Sequence, residues 1–301
     1  MKWRRLVAAL VVLVLTAGAA VVGWKTRVEA LRLISNPMET RRLPDRSPID
    51  FGMIYDEVSI LAEDGARLAG WSIPSRNGAL IIAQHGYKSN RGEMLNEAVM
   101  LQRHGYGVLI PAMRAHDLSD GTIISFGGKE IGDLQRWVQF ASALPDVTGG
   151  RIGIVGNSLG GALAIEAASR TPGIKAVAAN AAFSSMSDTL ETSIRFFTGL
   201  PPFPFAPLIA FWAERETGTR VADLDATRSI GRISPRPVLL MQGGADETIS
   251  TTSGQRLYDA AGEPRSLWFD AQVGHARFDT ARADEYERRV IALFDAALVT
   301  P

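Results

Sequence analysis

The chain has 301 residues, 46% of them hydrophobic, which suffices for one α/β domain with an appendage and excludes an intrinsically disordered protein. Its 32 basic and 32 acidic side chains cancel, and no long basic stretch is present, so nucleic-acid binding lacks electrostatic support. There is no cysteine, which excludes disulfides, thiolate metal sites and a cysteine nucleophile.

Lys2, Arg4 and Arg5 precede an uncharged run over residues 6–24 that Lys25 closes. A secretory signal has an apolar core of about 7–15 residues, whereas a bilayer span takes about 20. The run is nearer the second, so residues 1–24 are expected to form a single-pass membrane anchor with Trp24 at the interface. The start is purely basic while Glu29 dilutes the far side, which predicts that the rest of the chain lies outside the cytoplasm. Ala17-Gly18-Ala19 offers the alternative of a signal cleaved to leave a secreted or periplasmic protein. Residues 25–50, charged and punctuated by Pro44 and Pro48, read as a connector, and residues 51–301 as the domain.

From Asp56 onward the pattern is one of strands. Residues 58–61 and 68–73, joined through Asp64-Gly65, predict an antiparallel hairpin. Residues 79–83 are continuously apolar, as in a strand buried on both faces, and end in Gln84-His85-Gly86-Tyr87. A helix over about 95–103, a strand over 107–111, a helix from Glu130 to Ala143, and strands over 152–155 and 174–179 follow. This alternation predicts a mostly parallel sheet with helices on both faces. It breaks between about 184 and 232, where a Phe- and Pro-rich apolar insertion includes Phe196 and Phe197. It resumes with strands over 237–241 and 266–269, a helix between them, and a last helix over about 281–298.

Within that frame Gly156-Asn157-Ser158-Leu159-Gly160 follows a strand and opens a helix. Such a strand–turn–helix holds a serine in a strained backbone conformation with its hydroxyl exposed at the helix start. A serine hydroxyl needs a base, and the base an orienting acid. Of four histidines, His104 sits at a helix-to-strand corner, His116 lies in the loop after the 107–111 strand, and His85 ends a strand beside Gly86 on the substrate side. His275 alone lies beyond both the serine and an acid, after the last apolar strand. The acid comes from Asp246 or Glu247, in the loop after the 237–241 strand. Charge developing on the attacked carbonyl needs preorganised donors. The Leu159 N–H at the helix start and the Tyr87 N–H beside Gly86 are the expected pair. No histidine and carboxylate cluster reads as a metal site, and no cofactor is implied.

These residues resemble the α/β-hydrolase superfamily over roughly 52–298. The match rests on His85-Gly86, the Gly156 to Gly160 pentapeptide, Gly243 to Asp246 and Gly274-His275. Phe51-Gly52, Asp64-Gly65, Gly70-Trp71, and Gly128 to Glu130 with Asp133 look like its membrane-anchored, serine-peptidase-like and esterase-like branch. The resemblance implies an α/β-hydrolase fold with an apolar cap insertion, and Asp246 as the acid. The loop 112–121 departs from the usual D-x-R-G-H-G-x-S-x-G, with Ala112, Ala115 and Asp117 in place of the aspartate and two glycines.

The expected function is therefore a serine hydrolase with Ser158 as nucleophile, His275 as base and Asp246 as orienting acid. Carboxylic esters of acyl or lipid-like compounds are favoured, with His85, Gly86, Phe196 and Phe197 on the substrate and the insertion sheltering an acyl chain. The same groups could cleave amides as a peptidase. A non-catalytic, membrane-tethered binding protein on the same scaffold is the alternative from another class. A dehalogenase of this fold would need a carboxylate where Ser158 stands.

Overall fold

The computed structural model describes residues 2–299. Met1, Thr300 and Pro301, which bound the expected segments, lie outside the described residues. A helix α1 (Lys2–Ile34) precedes the sheet. Then come β1 (Asp56–Leu61), β2 (Arg67–Ile73), β3 (Leu80–Gln84), α2 (Leu95–Arg103), β4 (Gly107–Pro111) and α3 (Glu130–Ser142). The middle of the chain forms β5 (Ile152–Asn157), α4 (Leu159–Arg170), β6 (Ile174–Asn180), α5 (Met186–Thr198), α6 (Pro202–Thr217) and α7 (Ala226–Ile230). The remainder is β7 (Val238–Gly243), α8 (Ser253–Ala260), β8 (Arg265–Asp270), α9 (Phe278–Ala281) and α10 (Ala283–Phe294).

The eight strands lie in the order β1-β2-β4-β3-β5-β6-β7-β8. β1 and β2 pair antiparallel as the predicted hairpin, β2 meets β4 antiparallel, and every later pairing is parallel. Successive side chains of a strand point to opposite faces. Leu80 and Ile82 of β3 accordingly join a core with Trp137 of α3 and Leu163 of α4, while Ile81 joins another with Leu101 of α2 and Phe294 of α10. Helices thus cover both faces, which is why β3 and β5 read as unbroken apolar runs rather than alternating ones. Parallel strands bring their carboxyl ends to one edge of the sheet, and β3, β5, β7 and β8 deliver their following loops there.

Two features differ from the sequence expectation. The helix that starts at Lys2 does not stop near Trp24 but runs to Ile34, and its exposed apolar part gives way to burial at Thr26, Ala30 and Ile34. These three recur every four residues, so one stripe of the helix meets the body of the protein. The connector is also not a free spacer. Asn36 Nδ2 donates to the Ala115 carbonyl at 2.7 Å, and the Arg41 guanidinium donates to the carbonyls of Asp117 at 3.1 Å and Ser119 at 2.6 Å. Charged residues that looked solvated in sequence instead satisfy loop carbonyls. α1 is the one described helix long and apolar enough, by itself, to be a signal or membrane-spanning segment.

The insertion forms α5, α6, a 3-10 turn and α7. Ser185 caps α5 by accepting from the Asp188 N–H at 3.1 Å, and Gly199 and Gly218 close α5 and α6 in left-handed conformations. A small apolar core joins Ile194, Ala206 and Ile209 to Ala30 of α1.

Candidate active site

Ser158 sits between β5 and α4 with φ 55° and ψ −120°, a region that residues with side chains seldom occupy. The turn closes only because its flanks lack side chains. A Cβ on Gly156 would collide with the Gly160 carbonyl, and one on Gly160 with the carbonyls of Gln84 and His85. The Ser158 N–H donates to the Asn180 carbonyl at 2.8 Å, fixing the turn to the end of β6.

Ser158 Oγ lies 2.8 Å from His275 Nε2, and His275 Nδ1 lies 2.8 Å from Asp246 Oδ2. The Asp246 carboxylate is buried, and its Oδ1 accepts the N–H groups of Thr248 and Ile249, each at 2.9 Å. A carboxylate only accepts, so His275 Nδ1 carries the proton and Nε2 presents its lone pair to the Ser158 hydroxyl. That arrangement can move the hydroxyl proton onto the imidazole and hold the resulting charge beside Asp246. Glu247, the other acid in the loop, is exposed and takes no part.

Two spaces meet at Ser158. One is a narrow cavity of about 110 Å³ that touches Ser158, Leu159 and Tyr87 and is walled by apolar side chains of α1, α5 and α6. The other is an open cleft of about 630 Å³ that holds Gly86, Glu93, His275 and both Phe196 and Phe197. Phe197 stands on the boundary between them, edge-on to Tyr87 with ring centroids 5.5 Å apart. Tyr87 and Leu159 both line the narrow cavity together with Ser158. Among the described residues, no three His, Asp or Glu side chains gather as a metal site.

His85 stands elsewhere than expected. It is fully buried and lines neither space. Its Nδ1–H donates to the Gly86 carbonyl at 2.8 Å, and its Nε2 accepts the Met113 N–H at 3.1 Å. His116, which sequence reasoning passed over, does the same service nearby: Nδ1–H to the Arg114 carbonyl at 2.8 Å, Nε2 from the Lys88 N–H at 2.9 Å. Burial drives both imidazoles down from 6.5, His85 to about 3 and His116 to about 4, so both are neutral and act as fixed donor–acceptor pairs. Together they staple the Gly86–Lys88 loop to the loop after β4. The only sequence signal for His116 was its place in the 112–121 motif.

The loop that lacks the expected glycines still adopts left-handed backbone at two of those positions. Ala115 and Asp117 hold φ of 57° and 47°, the left-handed region glycine would favour. Asp117 is buried, and its carboxylate accepts from Arg91 Nε at 2.7 Å and Nη2 at 3.2 Å. Beneath the serine turn, burial pushes the Glu97 carboxyl up from 4.5 to about 8. Its Oε1 meets the Asn157 amide at 3.4 Å and the Tyr286 hydroxyl at 3.2 Å.

Comparison with known proteins agrees with this architecture. The family model described as X-Pro dipeptidyl-peptidase (S15 family) matches residues 60–201. The esterase Pf2001 of Pyrococcus furiosus superposes with a TM-score of 0.75 at 26% identity, over 88% of this chain and 98% of that one. The chain is an α/β-hydrolase. Two relatives are similar in sequence. The Bacillus subtilis protein YqkD is 29% identical over 71% of this chain and 70% of its own. The Arabidopsis thaliana α/β-hydrolase domain-containing protein WAV2 is 26% identical over 71% of this chain and 69% of its own. The eight-stranded, mostly parallel sheet with helices on both faces matches that of the Pf2001 fold, as the sequence motifs had implied.

Proposed function

We propose that this hydrolase cleaves carboxylic esters through an acyl-enzyme intermediate. Ser158 Oγ attacks the ester carbonyl while His275 Nε2 takes its proton, and Asp246 orients and stabilises the imidazolium. The Leu159 and Tyr87 N–H groups receive the developing oxyanion. The imidazolium returns the proton to the leaving alcohol, and a water activated by His275 then releases the acid. The single observation that carries the reading is the continuous chain of 2.8 Å contacts from Ser158 through His275 to Asp246, at the mouth of an apolar cavity. The apolar walls favour an acyl group over a polar peptide. α1 would hold the protein in the membrane as a single-pass anchor, its catalytic domain outside the cytoplasm.

The match to the X-Pro dipeptidyl-peptidase model favours a second reading, amide cleavage with the same groups. A fluorophosphonate probe together with ester and X-Pro amide substrates tests both. Labelling and ester turnover that vanish in Ser158→Ala support the proposal. Preferential cleavage of the amides would replace it with the second reading, and a folded chain that neither labels nor turns over ester would refute a serine hydrolase.

A further inference from the structure

We infer that the substrate is a membrane-resident ester with a long acyl chain, and that the last turns of α1 form a wall of the site receiving that chain. The inference rests on the reading of Ser158 given above and specifies its substrate class.

The apolar part of α1 stands clear of the protein, with Trp24 68% exposed at its end, whereas Thr26, two residues on, is fully buried. Residues 6–24 rise about 28 Å as a helix, close to the hydrocarbon thickness of a bilayer. The body of the protein therefore begins where that run ends. Ala30, Leu33 and Ile34 then line the same cavity as Ser158 and Leu159. Leu190, Ile194 and Phe197 of α5 and Ile209 of α6 line it too. Leu33 lies about 14 Å of helix beyond Trp24, so the cavity sits just above the lipid that α1 would enter.

The end of α1 is also tied to the oxyanion loop. The last carbonyls of a helix have no partner within it. Here the Tyr87 hydroxyl donates to the Leu33 carbonyl, and Lys88 Nζ donates to the Arg32 carbonyl at 2.8 Å. Arg32 Nη2 in turn donates to the Phe197 carbonyl at 2.8 Å, joining α1 to α5. One helix thus carries the apolar run, walls the cavity and braces the loop that bears Tyr87.

The cap helices bear the side chains of an interfacial surface. Phe203 of α6 is 83% exposed, Phe196 and Phe211 are also exposed, and Arg27 and Arg215 stack over the rings of Trp212 and Phe211 at 5.8 and 5.7 Å. Aromatic rings interleaved with arginines suit the headgroup boundary. No arrangement of this kind is needed to hydrolyse a short soluble ester, which can reach Ser158 through the open cleft.

The test uses the full chain in dioleoyl-phosphatidylcholine vesicles, with 4-methylumbelliferyl oleate placed in the same vesicles or in separate ones, and the butyrate ester in solution. Oleate in the same vesicles should turn over at least tenfold faster than oleate in separate vesicles. Leu33→Trp should lower the oleate-to-butyrate rate ratio at least tenfold, and the milder Leu33→Ala should keep or raise it. Fluorophosphonate labelling of Ser158 shows that each variant is folded. Equal rates from the two vesicle arrangements, or a ratio unmoved by Leu33→Trp in a labelled protein, would overturn this inference and leave the serine hydrolase standing. Loss of labelling and of butyrate turnover in the folded wild-type chain would overturn both.

Discussion

Asp117 offers a quantitative check, because the motif that the sequence resembles places glycine here and the exchange Asp117→Gly pits two effects against each other. Glycine relieves a left-handed backbone at φ 47°, a strain of about 1–2 kcal/mol for a residue with a side chain. It also removes both Asp117 contacts to the guanidinium of Arg91, a residue only 2% exposed. Arg91 keeps the partly exposed Glu57 carboxylate at 2.8 Å and the face of Trp71 at 4.3 Å, which do not replace a buried counter-ion. Breaking a buried pair by deleting one partner costs about 3–5 kcal/mol. The difference leaves the variant less stable by roughly 1–4 kcal/mol. At about 2–4 °C per kcal/mol for a domain of this size, its melting temperature should fall by roughly 2–16 °C. Thermal and urea unfolding of the detergent-solubilised chain measure this, and Arg91→Met with Asp117→Gly should recover most of the loss. A single variant as stable as wild type, or more so, would refute the claim that Arg91 depends on Asp117.

Other outcomes follow from the site. Asp246→Asn should keep the fold but lower ester kcat by about 10⁴-fold, since an amide can no longer hold His275 in the required tautomer; a loss below tenfold would remove Asp246 from the proposed mechanism. His116→Ala frees the Lys88 N–H in the Gly86–Lys88 loop that carries the proposed Tyr87 donor, and should lower kcat by about tenfold or more with little change in KM, measured on a soluble ester. The pH dependence of stability divides by sign. Glu97 binds its proton in the folded chain up to about pH 8 but only to 4.5 unfolded, so its contribution is full below 4.5 and lost as pH rises to 8. Glu97→Gln should therefore gain on wild type by roughly 1.4 kcal/mol per pH unit across that window, followed by urea denaturation. His85 and His116 act oppositely: their contribution is full above 6.5 and lost as pH falls towards 4, where acid unfolding should set in.

Much of the architecture was legible because it is written in short-range pattern. The hairpin followed from alternation around Asp64-Gly65, and the parallel strands from apolar runs such as residues 79–83, since burial on both faces leaves no polar side to alternate with. Ser158 was visible because its turn needs Gly156 and Gly160, where any Cβ would strike backbone carbonyls. His275 could be selected by chain order, since parallel strands present their following loops at one edge, whereas Asp246 was separated from Glu247 only by the family resemblance.

What the sequence alone determined, then, is the element order, the sheet class and the three residues that meet at the serine turn. The tertiary structure decided which surfaces those elements share. His85 looked like a substrate contact, yet packing turned its ring inward, where burial keeps it neutral and bound to Met113. Charged residues after Trp24 looked like a spacer, yet Arg41 closes on the 117–121 carbonyls. Tyr87 reaches Leu33 across 54 residues, and Ser158 reaches His275 across 117. Local periodicity carries no information at such separations. The hydrophobic effect is non-directional: it requires that the apolar stripe of α1 be covered but does not name the surface. Only the folded chain reveals that the cover is the cap, and that the space left between them ends at Ser158.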